Sequence, residues 1–509
     1  MAVETELKIR VAPEQLAKLK RHAVLKAYSK SRPVSRRLHN IYFDTPKLQI
    51  HNSGMALRLR HTGNQWLQTL TGGGSVQAGL HQRNEWEIPV SGPALDLSLL
   101  QAAGWNEQLP QSLQKKLQPV FVTDFSRSSR MLDFQGSQIE LCFDQGEIST
   151  EQLSMPVCEL ELEMKSGEPN KLFVLALELL GIVPFELESV SKAEKGYRLL
   201  GGYTEQPVKS VVPALARTDT LAVVLQKQIW SCLQHFQGNL HGAMASDDAE
   251  YLHQMRVALR RLRVVLRMVE KVCPDTGLAE LNKEVSSLCI ELGRIREWDV
   301  FIDETVQPLC ERMGGHAGLQ ALLIVSKIRR EASYKTLGDA TRTRELQRLL
   351  LRFAIWMNGE YWQQAGWQPQ AYSGHQALDF SSSRLRKLAK RFSQSGQHLD
   401  GADTARLHAL RILAKKLRYT AEFFAGLFDR QNAEIFLAAL SKVQDVLGRI
   451  NDIAVAHHLI DNLSTATALA DHQEAIILAR GWMEHGLSDQ LMALQKAMRN
   501  FNKQPAFWK

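Results

Sequence analysis

The chain has 509 residues, of which 44% are hydrophobic and 23% charged, values that are typical of globular proteins and exclude an intrinsically disordered chain. No apolar run approaches the roughly 18 residues that a membrane-spanning helix needs, and the acidic start, Met1-Ala-Val-Glu4, does not resemble a signal peptide. Six cysteines lie far apart without a Cys-x-x-Cys pair, so we expect reduced thiols in a cytoplasmic protein.

Charge is distributed unevenly along the chain. The net charge is +8, but residues 1–205 hold 23 Lys and Arg against 23 Asp and Glu, so the whole excess lies in residues 206–509. This asymmetry predicts an anionic partner for the second part of the chain and leaves open which anion it is.

Turn signals divide the chain before Gly201 into short alternating runs that predict β-strands. Asp44-Thr-Pro46 and Gly72-Gly-Gly74 are two such signals. Helical patterns interrupt the strands at about 13–26, 95–117 and 170–180. An antiparallel β domain with a few helices is therefore expected.

From about residue 218 the sequence is a succession of amphipathic helices, with apolar residues at helical spacing. We therefore expect an α+β protein of two domains: residues 1–203, a linker at 204–217, and an all-α domain at 218–505. The tail, Phe507-Trp508-Lys509, is expected to pack back on a domain.

The all-α part contains an internal repeat. The segment from His253 to Arg263 aligns with that from His408 to Arg418, and Leu292-Gly-Arg-Ile aligns with Leu447-Gly-Arg-Ile at the same offset along the chain. Two segments at one offset predict duplicated four-helix bundles, at about 218–370 and 371–505.

Several predicted strands carry charge on one face and apolar residues on the other, because alternate residues of a strand point to opposite sides. The charged positions are Glu4, Glu6, Lys8, Arg58, Arg60, Arg83, Glu85, Glu87, Glu159, Glu161 and Glu163. A solvated sheet face explains any one strand. Taken together, the stacked like charges favour a closed barrel whose interior holds a divalent metal and a polyanion.

Phosphoryl transfer is the chemistry that fits such an interior. Mg²⁺ prefers carboxylate oxygens, and arginine binds phosphate through two parallel hydrogen bonds. The sequence has no glycine-rich phosphate loop, so side chains would have to hold the phosphates.

The same residues resemble the CYTH family of triphosphate tunnel metalloenzymes. Glu4-x-Glu6-x-Lys8 matches the family's E-x-E-x-K signature, and the match continues in order to about residue 200. Its later elements are Tyr42-Phe-Asp-Thr-Pro46, Arg58-x-Arg60, Gly79-Leu-His-Gln-Arg83, Arg127, Asp144, the Glu159/Glu161/Glu163 strand and Ser191-Lys192. The bacterial inorganic triphosphatase branch is the most similar.

The resemblance implies an eight-stranded tunnel barrel that hydrolyses inorganic triphosphate with Mg²⁺ or Mn²⁺. It implies metal ligation by Glu4, Glu6, Asp144, Glu159, Glu161 and Glu163. It implies catalytic roles for Glu159, Glu161 and Lys8, with a late-strand glutamate positioning the attacking water. It implies substrate binding by Lys8, Arg58, Arg60, Arg83, Glu85, Glu87, Arg127 and Lys192.

One position departs from the family pattern. Thr71 stands where the family usually has a phosphate-binding lysine, which predicts weaker substrate binding or a lower rate. Candidates to replace the missing charge are Lys115, Lys116, Arg130 and Lys195. Spacing from Asp124 favours Arg127 over Arg130 as the tunnel arginine.

Each copy of the helical repeat carries a row of basic residues on one helix face, because residues spaced at i, i+3, i+7 and i+10 lie on the same side of a helix. These basic stripes are His253, Arg256, Arg260 and Arg263 in the first copy and His408, Arg411, Lys415 and Arg418 in the second. Such a stripe is either a solvated face or a polyanion site, and its duplication favours the second. Tyr419 is the only aromatic residue within either stripe, whereas nucleic-acid binding is expected to need aromatic platforms or a recognition helix. The apolar anchors that a membrane surface favours are not evident.

This pattern resembles the CHAD family over about 220–500, which implies polyphosphate binding in a basic channel. The implied residues are His253, Arg256, Arg260, Arg263, Arg294, His408, Arg411, Lys415, Arg418 and Arg449. We expect a cytoplasmic triphosphatase with a polyphosphate-binding module, associated with polyphosphate granules. The alternatives are a polyphosphate-binding protein with a weak or inactive tunnel, and adenylyl cyclase chemistry in the barrel.

Overall fold

The structure is a computed structural model that describes residues 2–102, 110–202, 204–272, 277–337, 340–359, 376–397, 399 and 404–509. The described chain forms two compact units: residues 1–206 with 339–360, and residues 207–338 with 361–509. The predicted boundary between the helical repeats, at 370/371, lies outside the described residues.

The strands are β1 (Ala2–Arg10), β2 (Val34–Asp44), β3 (Met55–Thr62), β4 (Gln65–Gln77), β5 (Leu80–Val90), β6 (Gln118–Phe134), β7 (Ser137–Ser149), β8 (Ser154–Ser166) and β9 (Glu186–Leu187). The helices that accompany these strands are α1 (Pro13–Arg21), α2 (Ala23–Tyr28), α3 (Gln49–Asn52), α4 (Leu97–Ala102), α5 (Gln111–Gln114), α6 (Asn170–Ile182) and α7 (Lys192–Leu200). The later helices are α8 (Leu221–Ala245), α9 (Ala249–Val272), α10 (Leu278–Phe301), α11 (Gln307–Arg312), α12 (Ala317–Leu337), α13 (Ala340–Met357), α14 (Gln376–Ser395), α15 (Thr404–Phe424), α16 (Arg430–Leu463) and α17 (Gln473–Asn502).

The first unit is a closed antiparallel barrel. Its strands follow the order β5-β4-β3-β2-β6-β7-β8-β1, and β1 pairs with β5 to close the circle. The two-residue strand β9 adds to β1 through Ile9 and Arg10. The prediction of an eight-stranded barrel with flanking helices is therefore confirmed.

Alternation along β1 explains why the barrel has a charged interior. Leu7 and Ile9 point outward and are completely buried, and the apolar helix α6 packs against β1 and β8. Glu6 and Lys8 point into the barrel, where they are 7% and 6% exposed. Burial of the outward face fixes the register, because a slip of one residue would place the charges against the helices.

The second unit is all-helical and repeats at the offset found in the sequence. Helix α9 begins at Ala249 and α15 at Thr404, which is the same separation as that between His253 and His408. This offset also carries α8 onto α14 and α10 onto the middle of α16. The prediction of an all-helical second part is therefore confirmed, although residues 339–360 of the predicted 218–505 domain belong to the unit of the barrel.

The C-terminal tail packs into the core of the second copy. Phe507 and Trp508 are 6% and 5% exposed, and both rings contact Phe436 of α16. The expected return of the tail onto a domain is confirmed. Within the described part of the chain, no helix combines the length and the apolar character needed to cross a bilayer.

Candidate functional site

The barrel encloses a cavity of about 290 Å³ whose walls are almost entirely charged or polar. The strands position these side chains, because each contributes alternate residues to the interior. The predicted residues that line the cavity are Glu4, Glu6, Lys8, Arg58, Arg60, Arg83, Glu85, Glu87, Arg127, Glu161, Glu163 and Lys192.

Glu161 is the centre of the interior network. Its Oε1 lies 2.6 Å from the ammonium of Lys8 and 2.8 Å from that of Lys192, and its other oxygen accepts from Arg127. Burial alone would raise the pKa of Glu161, but these cations, Lys192 foremost, lower it well below its usual value. The carboxylate is therefore ionised at neutral pH.

Asp144 and Glu159 lie behind the cavity wall. Asp144 is completely buried and accepts two hydrogen bonds from Arg127, at 2.7 and 2.6 Å. It also forms an ion pair with the ammonium of Lys192 at 2.8 Å. Glu159 pairs with Lys192 at 2.8 Å and Lys195 at 2.6 Å. Both carboxylates thus orient the cations of the wall.

The other carboxylates of the cavity form a cluster in which like charges repel. Burial, followed by the charges of Glu6 and Glu85, raises the pKa of Glu4 to about 8. Burial also raises the pKa of Glu163.

The donor set of this cluster fits a divalent cation, because a bound cation would relieve the repulsion and keep every carboxylate ionised. Among the described residues, however, no three potential ligands are already grouped closely enough to hold a metal.

Four arginines line the cavity: Arg58, Arg60, Arg83 and Arg127. Arg58 donates to Glu85 at 2.8 Å, and Arg60 donates to Asn40 at 2.9 Å. Burial and the neighbouring charges of Arg58 and Arg127 lower the pKa of Arg60 to about 10, so it remains charged near pH 7. Such closely spaced guanidinium groups favour a multiply charged anion between them.

His81 was missed as a site residue by the sequence analysis, although it lies in the quoted Gly79–Arg83 string. It is completely buried, and burial with the charge of Lys8 lowers its pKa to about 3. The neutral ring donates from Nε2 to the carbonyl oxygen of Glu188 at 3.0 Å, which leaves Nδ1 to accept from Arg83 at 3.1 Å. His81 therefore orients Arg83 toward the cavity.

Thr71 lines the cavity beside Glu85, its partner in the β4–β5 ladder. The candidate replacements for the missing lysine do not line the cavity. Lys195 is paired with Glu159 and Glu188, and Arg130 donates to the carbonyl oxygen of Lys20. The choice of Arg127 over Arg130 as the tunnel arginine agrees with this arrangement.

The second unit contains a separate basic cavity of about 630 Å³ between its two helical copies. The predicted residues that line it are His253, Arg260, Arg411, Lys415, Arg418 and Arg449. The buried Nε atoms of Arg260 and Arg411 have no hydrogen-bond partner among the described residues. Buried donors without a partner are costly, so this cavity is suited to an anionic ligand.

Lys415 is the most perturbed base of this cavity. Burial, followed by the charges of Arg260 and Arg411, lowers its pKa to about 6. Burial with the charge of Arg296 also lowers the pKa of His253 to about 4, so that ring is neutral at pH 7. Burial is the larger cause of both shifts, and the neighbouring cations lower the two pKa values further.

The other residues predicted to bind polyphosphate lie outside this cavity: Arg256, Arg263, Arg294 and His408. Arg256 donates to the carbonyl oxygen of Cys289 and crosses Gly293, where a Cβ atom would lie 2.7 Å from its guanidinium. His408 lines an adjoining, more apolar cavity of about 680 Å³.

Comparison with known proteins agrees with both parts of the chain. A model of the CYTH domain matches residues 2–197, and a model of the CHAD domain matches residues 227–461. An inorganic triphosphatase of Haemophilus influenzae is 34% identical over 204 residues, which are 39% of this chain and 55% of the relative. The chain thus matches only about half the length of that relative.

Among solved structures, the CHAD domain of the plant Ricinus communis is similar with a TM-score of 0.50 and 28% identity. The similarity covers 58% of this chain and 97% of the plant domain. The chain therefore contains a CYTH domain, which is followed by a CHAD domain.

Proposed function

We propose that the barrel hydrolyses inorganic triphosphate to pyrophosphate and phosphate with Mg²⁺ or Mn²⁺, and that the helical unit binds inorganic polyphosphate. The observation that carries the first proposal is the enclosed cavity in which arginines and lysines face a cluster of carboxylates. The presence of a CYTH domain and the similarity of the chain to an inorganic triphosphatase support the same reaction.

The arginines and lysines that line the cavity bind the substrate. Arg58, Arg60 and Arg127 bind phosphate oxygens through two hydrogen bonds each, while Lys8 and Lys192 act as point charges. In the present structure four of these cations pair with carboxylates at 2.6–2.8 Å, and Arg60 lies 3.5 Å from Glu87, so they are held in place before substrate arrives. Such preorganisation reduces the cost of ordering side chains during the reaction.

The metal would be held by Glu4, Glu6 and Glu163, the carboxylates whose repulsion it relieves. A bound divalent cation neutralises the charge that develops on the phosphate oxygens as the anhydride bond breaks. Asp144 and Glu159 keep the supporting role that their contacts with Lys192 and Arg127 indicate.

Glu161 orients the attacking water by accepting a hydrogen bond from it. The depressed pKa of this carboxylate makes it a weak proton acceptor at neutral pH. Positioning therefore contributes more than proton transfer, which suits a phosphoryl transfer with little bonding to the nucleophile.

The experiment is phosphate release with Mg²⁺ from tripolyphosphate, ATP and long-chain polyphosphate. A Glu4→Ala/Glu6→Ala variant is the control, because it removes two carboxylates of the proposed metal site. We expect rapid release from tripolyphosphate by the native protein and none by the variant. Equal release by the two proteins would refute the tunnel as the active site.

A binding protein with an inactive tunnel is the second candidate, and the position of Thr71 on the cavity wall favours it. That alternative predicts retention of tripolyphosphate by the native protein without phosphate release. The same assay, combined with a binding measurement, separates the two functions.

Polyphosphate binding by the helical unit is tested with Arg260→Gln/Arg411→Gln. We expect weaker binding of long-chain polyphosphate and a shallower dependence of affinity on salt, because fewer counterions are released. Arg430→Gln is the matched control, since its side chain is 91% exposed and lies outside the cavity. Unchanged affinity in the double variant would reject the cavity as the binding site.

A further inference from the structure

Helix α13 lies in the second half of the chain but belongs to the compact unit of the barrel. It packs against α6 and β9. The sequence offset between the two copies, which matches α9 with α15, places the equivalent of α13 in the last part of α17. In the described part of the second copy, therefore, no separate helix corresponds to α13. The helical repeat therefore does not explain the presence of α13. The helix is explained instead by its packing against α6 and β9 in the unit of the barrel.

The buried face of α13 is apolar except for one residue. Its buried residues are Leu346, Gln347, Leu349, Leu350, Leu351, Phe353, Ala354 and Met357. Gln347 is 1% exposed, and its Oε1 accepts a hydrogen bond from the backbone nitrogen of Leu187 at 3.0 Å. A buried amide is costly without a partner, so this contact specifies where β9 lies against the helix.

Strand β9 leads directly into the residues that order the tunnel. The backbone nitrogen of Glu188 donates to the carbonyl oxygen of Lys8 at 2.8 Å, and its carbonyl oxygen accepts from His81 at 3.0 Å. The Glu188 carboxylate pairs with Lys195 at 2.8 Å. One residue of the chain thus connects β1, β5 and α7.

Helix α7 begins immediately afterwards. The hydroxyl of Ser191 caps the helix by accepting from the backbone nitrogen of Glu194. Lys192, the first helical residue, reaches Asp144, Glu159 and Glu161 at 2.8 Å each. A shift of β9 would therefore move the ammonium of Lys192 relative to the carboxylates that hold it.

We propose that Gln347 is a positioning residue for the tunnel, which it reaches through Leu187 and the segment from β9 to Lys192. The inference rests on the proposed triphosphatase function. Gln347 is not among the residues that line the cavity. Its effect arises because small displacements of groups that grip a substrate reduce the rate strongly.

The test compares the full-length protein with Gln347→Met, which keeps the length of the side chain and removes its acceptor. We expect kcat with tripolyphosphate to fall about tenfold, the scale of one misplaced hydrogen-bonded contact. Polyphosphate binding should stay unchanged. Leu346→Ala is the matched control on the same buried face, and it should lower the melting temperature while leaving kcat of the folded protein unchanged.

Hydrogen exchange of the amides from Leu187 to Lys192 supplies a readout that does not depend on activity. We expect faster exchange in Gln347→Met than in the native protein or in Leu346→Ala. Gln347→Glu, which retains an acceptor oxygen of the same reach, should preserve more of kcat and of the protection than the methionine variant does.

The outcomes separate this inference from the proposed function. Absence of phosphate release by the native protein would refute the triphosphatase function, while hydrogen exchange would still test the positioning. With an active native protein, a kcat of Gln347→Met within twofold of the native value would overturn the inference. Equal exchange rates in the native and methionine proteins would overturn it as well.

Discussion

The ammonium groups of Lys8 and Lys192 contact the same carboxylate oxygen of Glu161, at 2.6 and 2.8 Å. Lys8 comes from β1 and Lys192 from the start of α7, so this one oxygen joins the two ends of the CYTH domain. Their shared partner keeps two like charges close together, and a phosphate oxygen offers the same stabilisation. The arrangement holds the cations ready for substrate.

Replacing Glu161 with Gln should lower kcat with tripolyphosphate at least about 100-fold without raising KM. The rate falls because the oriented water loses its carboxylate acceptor, an effect on the scale of a lost acid–base group. KM does not rise, because the Glu161 carboxylate no longer competes with the substrate phosphates for Lys8, Lys192 and Arg127. Steady-state phosphate release measures both constants.

Glu147→Gln is the control for that variant, since Glu147 is an exposed residue of the neighbouring strand β7. Its kinetic constants should match those of the native protein. If Glu161→Gln raises KM while leaving kcat unchanged, the proposed role of Glu161 is wrong.

Binding of Mg²⁺ should release protons near pH 7. The pKa of Glu4 is raised to about 8, so its carboxyl group is largely protonated at pH 7 and must ionise to bind a cation. Calorimetric titration in two buffers with different ionisation enthalpies measures this release. We expect heats that differ between the buffers at pH 7 and converge at pH 9, where Glu4 is already ionised.

Glu4→Gln removes the titrating group and should abolish the buffer dependence. Proton release that persists in this variant would assign it to another residue. Heats that are equal in both buffers for the native protein would contradict the shifted pKa of Glu4.

Acidification should destabilise the barrel domain through Glu159. Although burial opposes ionisation, Lys192 and Lys195 lower the pKa of Glu159 from 4.5 to about 2 in the folded protein. A depressed carboxylate pKa stabilises the fold above the unfolded value, and this contribution is lost as pH falls from about 4.5 to about 2. Thermal unfolding of Glu159→Gln should therefore depend less steeply on pH in that window than unfolding of the native protein.

Much of the barrel interior follows from the sequence, because strand alternation places every second residue on one face. The charged positions of β1, such as Glu6 and Lys8, line the cavity as this rule requires. Pairing between distant strands does not follow from local pattern. The position of Asp144 behind Arg127, for instance, depends on the register of β6 against β7.

In the helical part, too, some features follow from the sequence and others depend on packing between distant segments. The offset between the repeated segments predicts where α15 begins, since a duplicated sequence repeats its helix boundaries. The association of α13 with the barrel unit has no local signal, because an amphipathic helix presents the same pattern whatever it packs against. Which of the predicted polyphosphate-binding bases meet in one cavity likewise depends on helix packing, and Arg294 is exposed outside that cavity.

Thr71→Lys should lower KM for tripolyphosphate about fivefold or more. The substitution places an ammonium group on the cavity wall beside Glu85, where it adds an attraction for the phosphates. Thr71→Met is the matched control, because it adds similar bulk without charge. A lysine variant that binds substrate no better than the methionine variant would show that Thr71 does not limit affinity.

Polyphosphate binding by the CHAD domain should strengthen as pH falls from 8 to 6. The pKa of Lys415 is lowered to about 6 by burial and by Arg260 and Arg411, so its side chain is mostly neutral at pH 8 and about half protonated at pH 6. A polyanion favours the protonated form, which couples binding to proton uptake. The internal phosphates of a long chain stay ionised throughout, so the ligand itself contributes little to the slope. Binding isotherms at constant ionic strength measure the effect.

Two substitutions test whether Lys415 causes this pH dependence of polyphosphate binding. Lys415→Met should bind weakly at both pH values, because it cannot take up the proton. Lys415→Arg should bind tightly at both, because guanidinium keeps its charge far above pH 8. If Lys415→Met retains the native pH dependence, another group carries the titration and the assignment to Lys415 fails.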